Sequence, residues 1–216
     1  MVCGDPCRPA SRLANLRHRE RHARAGHAEE CLLAVAGVIP GDQLGNRIRL
    51  LQGSEVEIHA DGTLDFPDEV LAELDIVIAA LHTSLRQPRA QITERLLKVI
   101  RHPHVDIIGH PSGRLLPDRE GADLDWEAVF AAAKQAGIAL EIDAHPARLD
   151  LDEVYARRAV SLGIPLSIDT DAHAVDNLDL MEYGVAVARR AWVNPQSDIN
   201  TWQFDRLLNW LDRDTD

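Results

Sequence analysis

A chain of 216 residues, 45% hydrophobic and 27% charged, can bury one sizeable core and is not composed like a disordered segment. Its formal charge of −12 repels nucleic-acid phosphate, so tight unaided DNA binding is not expected. Three cysteines, Cys3, Cys7 and Cys31, cannot all pair, which suits a reducing cytoplasm without a disulfide framework.

Residues 1–46 read as a basic arm, expected to be helical. Arg8, Arg12, Arg17, Arg19, Arg21 and Arg24 run together with His18 and His22, and Glu20 is the one acid among them. Such a run suits a solvated basic helix or a frayed tail. Cys3-x3-Cys7 followed by His18-x3-His22 also approaches a zinc-finger ligand pattern, but the gap between the pairs is short and no apolar hairpin precedes it. The arm lacks the apolar centre of a signal peptide, and no apolar run in the chain approaches the roughly 18 residues of a membrane span.

Residues 47–216 form the main domain, where strand-like and helix-like segments alternate as in α/β folds with parallel strands. β-rich apolar runs predict strands at 48–59, 76–82, 105–110, 138–143 and 166–170. Helices are expected at 68–74, 90–101, 125–136 and 152–162. Asp125 and either Asp150 or Asp152 serve as N-caps, and Gly137 and Gly163 as stops. Another helix follows Asp179, and a last one at about 201–212 has Trp202, Leu207, Leu208 and Leu211 as its apolar face.

Five metal-type residues each stand at the end of an apolar run: Glu55, His82, His110, Asp171 and His173. The C-terminal ends of strands in a β/α barrel converge on one face, and carboxylate and imidazole are common ligands of divalent metals. A lone histidine after a strand is more often a hydrogen-bonded residue than a ligand. A succession of acids and histidines is harder to set aside, because a buried carboxylate without a partner is costly. Asp171-x-His173 also suits a strand's period of two.

At Glu55-Val-Glu-Ile-His-Ala-Asp-Gly-Thr-Leu-Asp-Phe-Pro-Asp, Ala80-Leu-His82-Thr-Ser, Ile108-Gly-His110-Pro-Ser-Gly-Arg114, Leu140-Glu-Ile-Asp-Ala-His-Pro-Ala-Arg-Leu-Asp and Thr170-Asp171-Ala-His173, the chain resembles the polymerase-and-histidinol-phosphatase (PHP) family. It is most similar to the PHP domain of bacterial family X DNA polymerases, from about residue 47 onward. The resemblance implies a distorted (β/α)7 barrel whose C-terminal mouth holds a cluster of divalent ions, Zn²⁺ or Mn²⁺. By motif, Glu55 would bridge two ions, His82 and His110 would complete the shell of one, Asp171 would ligate the other, and His173 would belong to a third. Arg114 and Arg148 would hold substrate oxygens, with Arg114 and Asp171 counted in the catalytic set. The implied activity is hydrolysis of phosphodiester or phosphotriester bonds of small substrates by a metal-bound hydroxide.

The sequence also departs from the family pattern. Family barrels begin with a strand carrying His-x-His and a second ending in a Thr-Asp-His motif; no counterpart of either precedes Glu55, so the first two strands are expected to be lacking. His59 and His145 are stray histidines near the mouth, and His18, His22 and His27 lie in the basic arm. A barrel short of two strands would expose two edges, and exposed edges pair with something, so a homo-oligomer is expected. Two other functions stay open: a catalytically silent module that binds a partner, and an amidohydrolase-like metallohydrolase. No membrane partner is expected.

Overall fold

A computed structural model describes residues 32–35 and 49–213. Six strands form one sheet in sequence order: β1 (Leu32–Val35), β2 (Arg49–Glu57), β3 (Ile76–Ala80), β4 (Ile107–Gly109), β5 (Ala139–Asp143) and β6 (Leu166–Asp169). Strands β2 to β6 are mutually parallel, and β1 lies antiparallel on the outer edge of β2, with Leu32 opposite Gln52. The intervening helices are α1 (Asp68–Leu71), α2 (Arg89–Ile100), α3 (Trp126–Ala136) and α4 (Glu153–Leu162); α5 (Met181–Arg190) and α6 (Phe204–Leu211) follow β6.

All five parallel strands fall where the apolar runs place them, and the caps do the same. Asp125 accepts a hydrogen bond from the Ala128 amide at 3.3 Å, and Asp152 accepts from Val154 and Tyr155 at 2.9 and 3.0 Å. Gly137 and Gly163 end their helices at φ +69° and +79°, a left-handed conformation that glycine adopts without a Cβ clash.

One expectation needs correction. Among the described residues the sheet does not close into a (β/α)7 barrel: β1 and β6 stand at its two ends. The outer edge of β6 is already occupied. Leu166 donates its amide to Ser197 O at 2.7 Å, and the Asn200 amide both accepts from Ile168 N at 2.8 Å and donates to Ile168 O at 2.9 Å. A further strand would have to displace those contacts. Strand β1, at Leu32–Val35, covers the outer edge of β2 as well. Cys3, Cys7, His18, His22 and His27 lie outside the described residues.

The two faces of the sheet differ. Val56, Val77, Ala79, Ile108, Leu140, Ile142 and Ile168 pack under the helices against Ile92, Leu96, Phe130, Ala159 and Val187. On the opposite face Leu51, Ile76, Ile78, Ile107 and Ala139 form a second apolar patch, closed by Ile199, Leu207, Trp202, Leu208 and Leu211 from the C-terminal segment. Trp210 fastens that segment by donating to Gly137 O at 2.7 Å, and Arg213 by reaching Asp106 at 3.2 Å. Toward the strand C-termini the period-two alternation gives this second face Glu55, Glu57, Glu141 and Asp143. The face is thus apolar at one end and acidic at the other.

Candidate metal centre

Glu55 projects from β2, and His82 and His110 follow the ends of β3 and β4. The Nε2 atoms of both histidines lie 3.0 Å from Glu55 Oε1. Their rings meet edge to face, with centroids 4.9 Å apart. One donor atom from each of the three residues falls within 4.8 Å of the others. The His110 side chain is 2% exposed and that of His82 40%, so the group has a buried floor and opens on the His82 side.

The backbone is shaped for this convergence. A Cβ at Gly109 would come within 2.8 Å of Ile78 Cγ2 and 3.6 Å of Glu141 Oε2. Glycine there lets the strand pass Ile78, and Glu141 Oε2 accepts a hydrogen bond from the adjacent His110 amide. His110 itself has φ +27° and Asp171 φ +47°, costly conformations for residues with a Cβ and of the kind that cluster at functional sites.

Charge is distributed unevenly. Burial opposes ionisation of Glu55, but the hydrogen bonds and charges of His110 and His82 prevail and hold its carboxyl well below the usual carboxylate range. Burial likewise works against a charged His82, yet Glu55 and Glu57 push its pKa up to about 9. Deeper in the face, burial raises Glu141 and Asp169, which share a side-chain hydrogen bond, and takes Asp143 up to about 8.

Among the described residues, Asp171 and His173 stand outside the group made by Glu55, His82 and His110. Asp171 Oδ2 lies 3.5 Å from Arg148 Nε, which is also 3.2 Å from Asp143 Oδ2. His173 donates from Nδ1 to the Asp171 carbonyl at 2.7 Å. Arg114 is turned to backbone: Nε donates to Arg148 O at 2.7 Å and Nη2 to Leu149 O, which clamps the loop that carries Arg148. Arg148 keeps Nη1 buried and without a hydrogen-bond partner among the described residues. His145 accepts the Ala147 amide within its own turn, and exposed His59 pairs with Asp65 at 3.0 Å. Glu57 is the participant the sequence reading overlooked. Its Oε2 meets His82 Nδ1 at 2.6 Å, and the Glu55-x-Glu57 spacing, which puts both acids on one face, was the available signal.

A scan against protein-family models gave no match. Among curated proteins, the chain is 45% identical over 165 residues to the DNA polymerase/3′-5′ exonuclease PolX of Bacillus subtilis, covering 76% of this chain and 29% of the polymerase. A probable phosphatase of Thermoanaerobacter sp. is 32% identical over 164 residues, covering 71% of this chain and 64% of the phosphatase. A probable phosphatase of Edwardsiella ictaluri is 30% identical over 177 residues, 78% of this chain and 69% of that protein. The chain belongs to the PHP family.

The donor set also fits what such a family requires. Two imidazole nitrogens and a carboxylate oxygen, with one side open to solvent, match the three-ligand arrangement of a catalytic divalent metal. Among the described residues no helix is long and apolar enough to cross a membrane.

Proposed function

We propose that this PHP chain is a metal-dependent phosphoesterase that hydrolyses phosphodiester or phosphotriester bonds of small substrates. The observation that carries it is the convergence of His82 and His110 Nε2 on one oxygen of Glu55. The names of the relatives, a polymerase with 3′-5′ exonuclease activity and probable phosphatases, support the same reaction class. Glu55, His82 and His110 would hold a divalent ion, Zn²⁺ or Mn²⁺, with Asp171 and His173 as further ligands of a more extended cluster. Such an ion supplies Lewis acidity, polarising phosphoryl oxygen and acidifying water.

The chain's own residues do the rest. Glu55 offers a carboxylate already held ionised, and His82 must release its Nε2 proton for that nitrogen to act as a ligand. Arg148, fixed between Asp143 and Asp171, would hold a phosphoryl oxygen. The net charge of −12 favours small esters over long polyanions. A homodimer belongs to this proposal too; with β2 and β6 covered, β1 is the edge at which another copy would pair.

Metal-stripped protein reloaded with Zn²⁺ or Mn²⁺ and offered chromogenic phosphomonoesters, diesters and triesters tests the activity. Turnover of diesters or triesters is expected. Hydrolysis confined to amides or carboxylic esters would favour the amidohydrolase alternative, and a metal-loaded but inert chain would favour the silent binding module.

A further inference from the structure

Glu57 makes more contacts than a solvent-facing acid needs. Oε2 meets His82 Nδ1 at 2.6 Å and accepts the His82 amide at 3.2 Å. Oε1 accepts the Thr83 hydroxyl at 2.6 Å and the Thr83 amide at 3.2 Å. Arg95 Nη2, on a side chain 1% exposed, lies 3.6 Å from Oε1. The same guanidinium donates to Ile58 O and, at 3.0 Å, to Thr83 O. Ile58 follows Glu57 and Thr83 follows His82, so one arginine from α2 ties together the two strand ends that carry this pair.

An ionised carboxylate can only accept hydrogen bonds. The ring nitrogen facing Glu57 must therefore carry a hydrogen. Ionised Glu55 asks the same of Nε2, at 3.0 Å against 2.6 Å for the Glu57 contact; once the Nε2 proton is given up, the one hydrogen of the neutral imidazole stays on Nδ1 and leaves the lone pair on Nε2. We propose that Glu57, braced by Arg95, is the positioning residue of this centre: it selects the Nδ1–H tautomer of His82 and aims Nε2 at the point shared with Glu55 and His110. Carboxylates that orient a ligating histidine in this way recur behind metal sites. The proposal rests on the metal reading of the Glu55, His82 and His110 group and names the residue that makes one of its ligands competent.

The test uses the full chain, stripped of metal and titrated with Zn²⁺, together with ¹⁵N–¹H imidazole spectra of the metal-free protein at high pH. Wild type should show His82 as the Nδ1–H tautomer. Glu57→Ala should weaken Zn²⁺ binding about 10- to 100-fold and shift His82 toward Nε2–H. Glu57→Gln, which can still present a carbonyl oxygen to Nδ1, should recover most of both. Equal Zn²⁺ affinity in wild type and Glu57→Ala would overturn the proposal and leave the metal reading standing. Should Glu57→Ala not fold, an Nε2–H tautomer in the wild type overturns it alone, and Nδ1–H supports it. A wild type that binds no Zn²⁺ would overturn the metal reading and this proposal together.

Discussion

His82 and His110 pack edge to face at the ends of neighbouring strands, yet one is 40% exposed and the other 2%. Their substitutions should therefore differ in a way that activity alone would hide. His82→Ala and His110→Ala should each remove about 100-fold or more of phosphoesterase activity, since a ligand sets both metal affinity and water acidity. His110→Ala should lower stability more than His82→Ala, by about 1–3 kcal/mol, because its side chain is 2% exposed and its loss leaves a gap in the interior. Paired kinetic and thermal-unfolding measurements check this; equal stabilities would mean that His110 is not the buried floor of the site.

Zinc affinity should rise with pH. His82 titrates at about 9 without metal, above its ordinary 6.5, so below about pH 9 the ion must displace a proton from Nε2. The gain is about tenfold per pH unit for one proton. In folding terms the raised pKa gives stability that is present below 6.5 and lost as pH rises through about 9. Zinc acts in the opposite direction, so the Tm increment from added Zn²⁺ should grow between about pH 6 and about pH 9. Calorimetric titration in buffers of different ionisation enthalpy should register close to one proton released per ion; no proton release would remove His82 from the shell.

Without metal, the acidic end of the face should destabilise the protein as pH rises. Asp143 has an ordinary pKa of 3.8 and reaches about 8 in the fold, chiefly through burial. The folded state thus holds protons that the unfolded chain releases, and the stability from this group is lost as pH climbs from about 4 through about 8. Glu141 and Asp169 shift in the same direction. Chelator-treated protein should unfold at a lower temperature near pH 8 than near pH 5, and Asp143→Asn should flatten that slope. A wild-type Tm that rises over the same interval would contradict the burial assigned here.

Leu207 tests whether the two ends of this face are separable. It is 4% exposed in the patch with Ile76, Ile78 and Ile107. Leu207→Ala should cost about 2–5 kcal/mol of stability, while Zn²⁺ affinity per folded molecule stays unchanged. A parallel loss of affinity in the folded protein would mean that α6 shapes the site directly.

Much of this was legible in the sequence, for identifiable reasons. The runs around Ile76 and Leu166 are short, apolar and bounded by polar or turn residues, and strands lie there because both faces are buried. Glu55, His82 and His110 stand at the ends of such runs, where parallel strands bring them together. The contacts of Arg114 with the carbonyls of Arg148 and Leu149 were not legible, because they bring together residues more than thirty positions apart. The cover on β6 rests in part on Asn200, an exposed polar residue whose pairing with Ile168 leaves no periodic signal. Glu57 escaped notice because acids that alternate along a strand ordinarily face water.

Metal content is the most direct test of the central claim. Purified protein reconstituted with zinc or manganese and freed of excess should carry about one tightly held ion per chain, the number one three-ligand group can hold. His82→Ala and His110→Ala should lose it. Less than about a tenth of an equivalent in the wild type, or full occupancy in both variants, would contradict the account, because a three-ligand site falls with any one of its ligands.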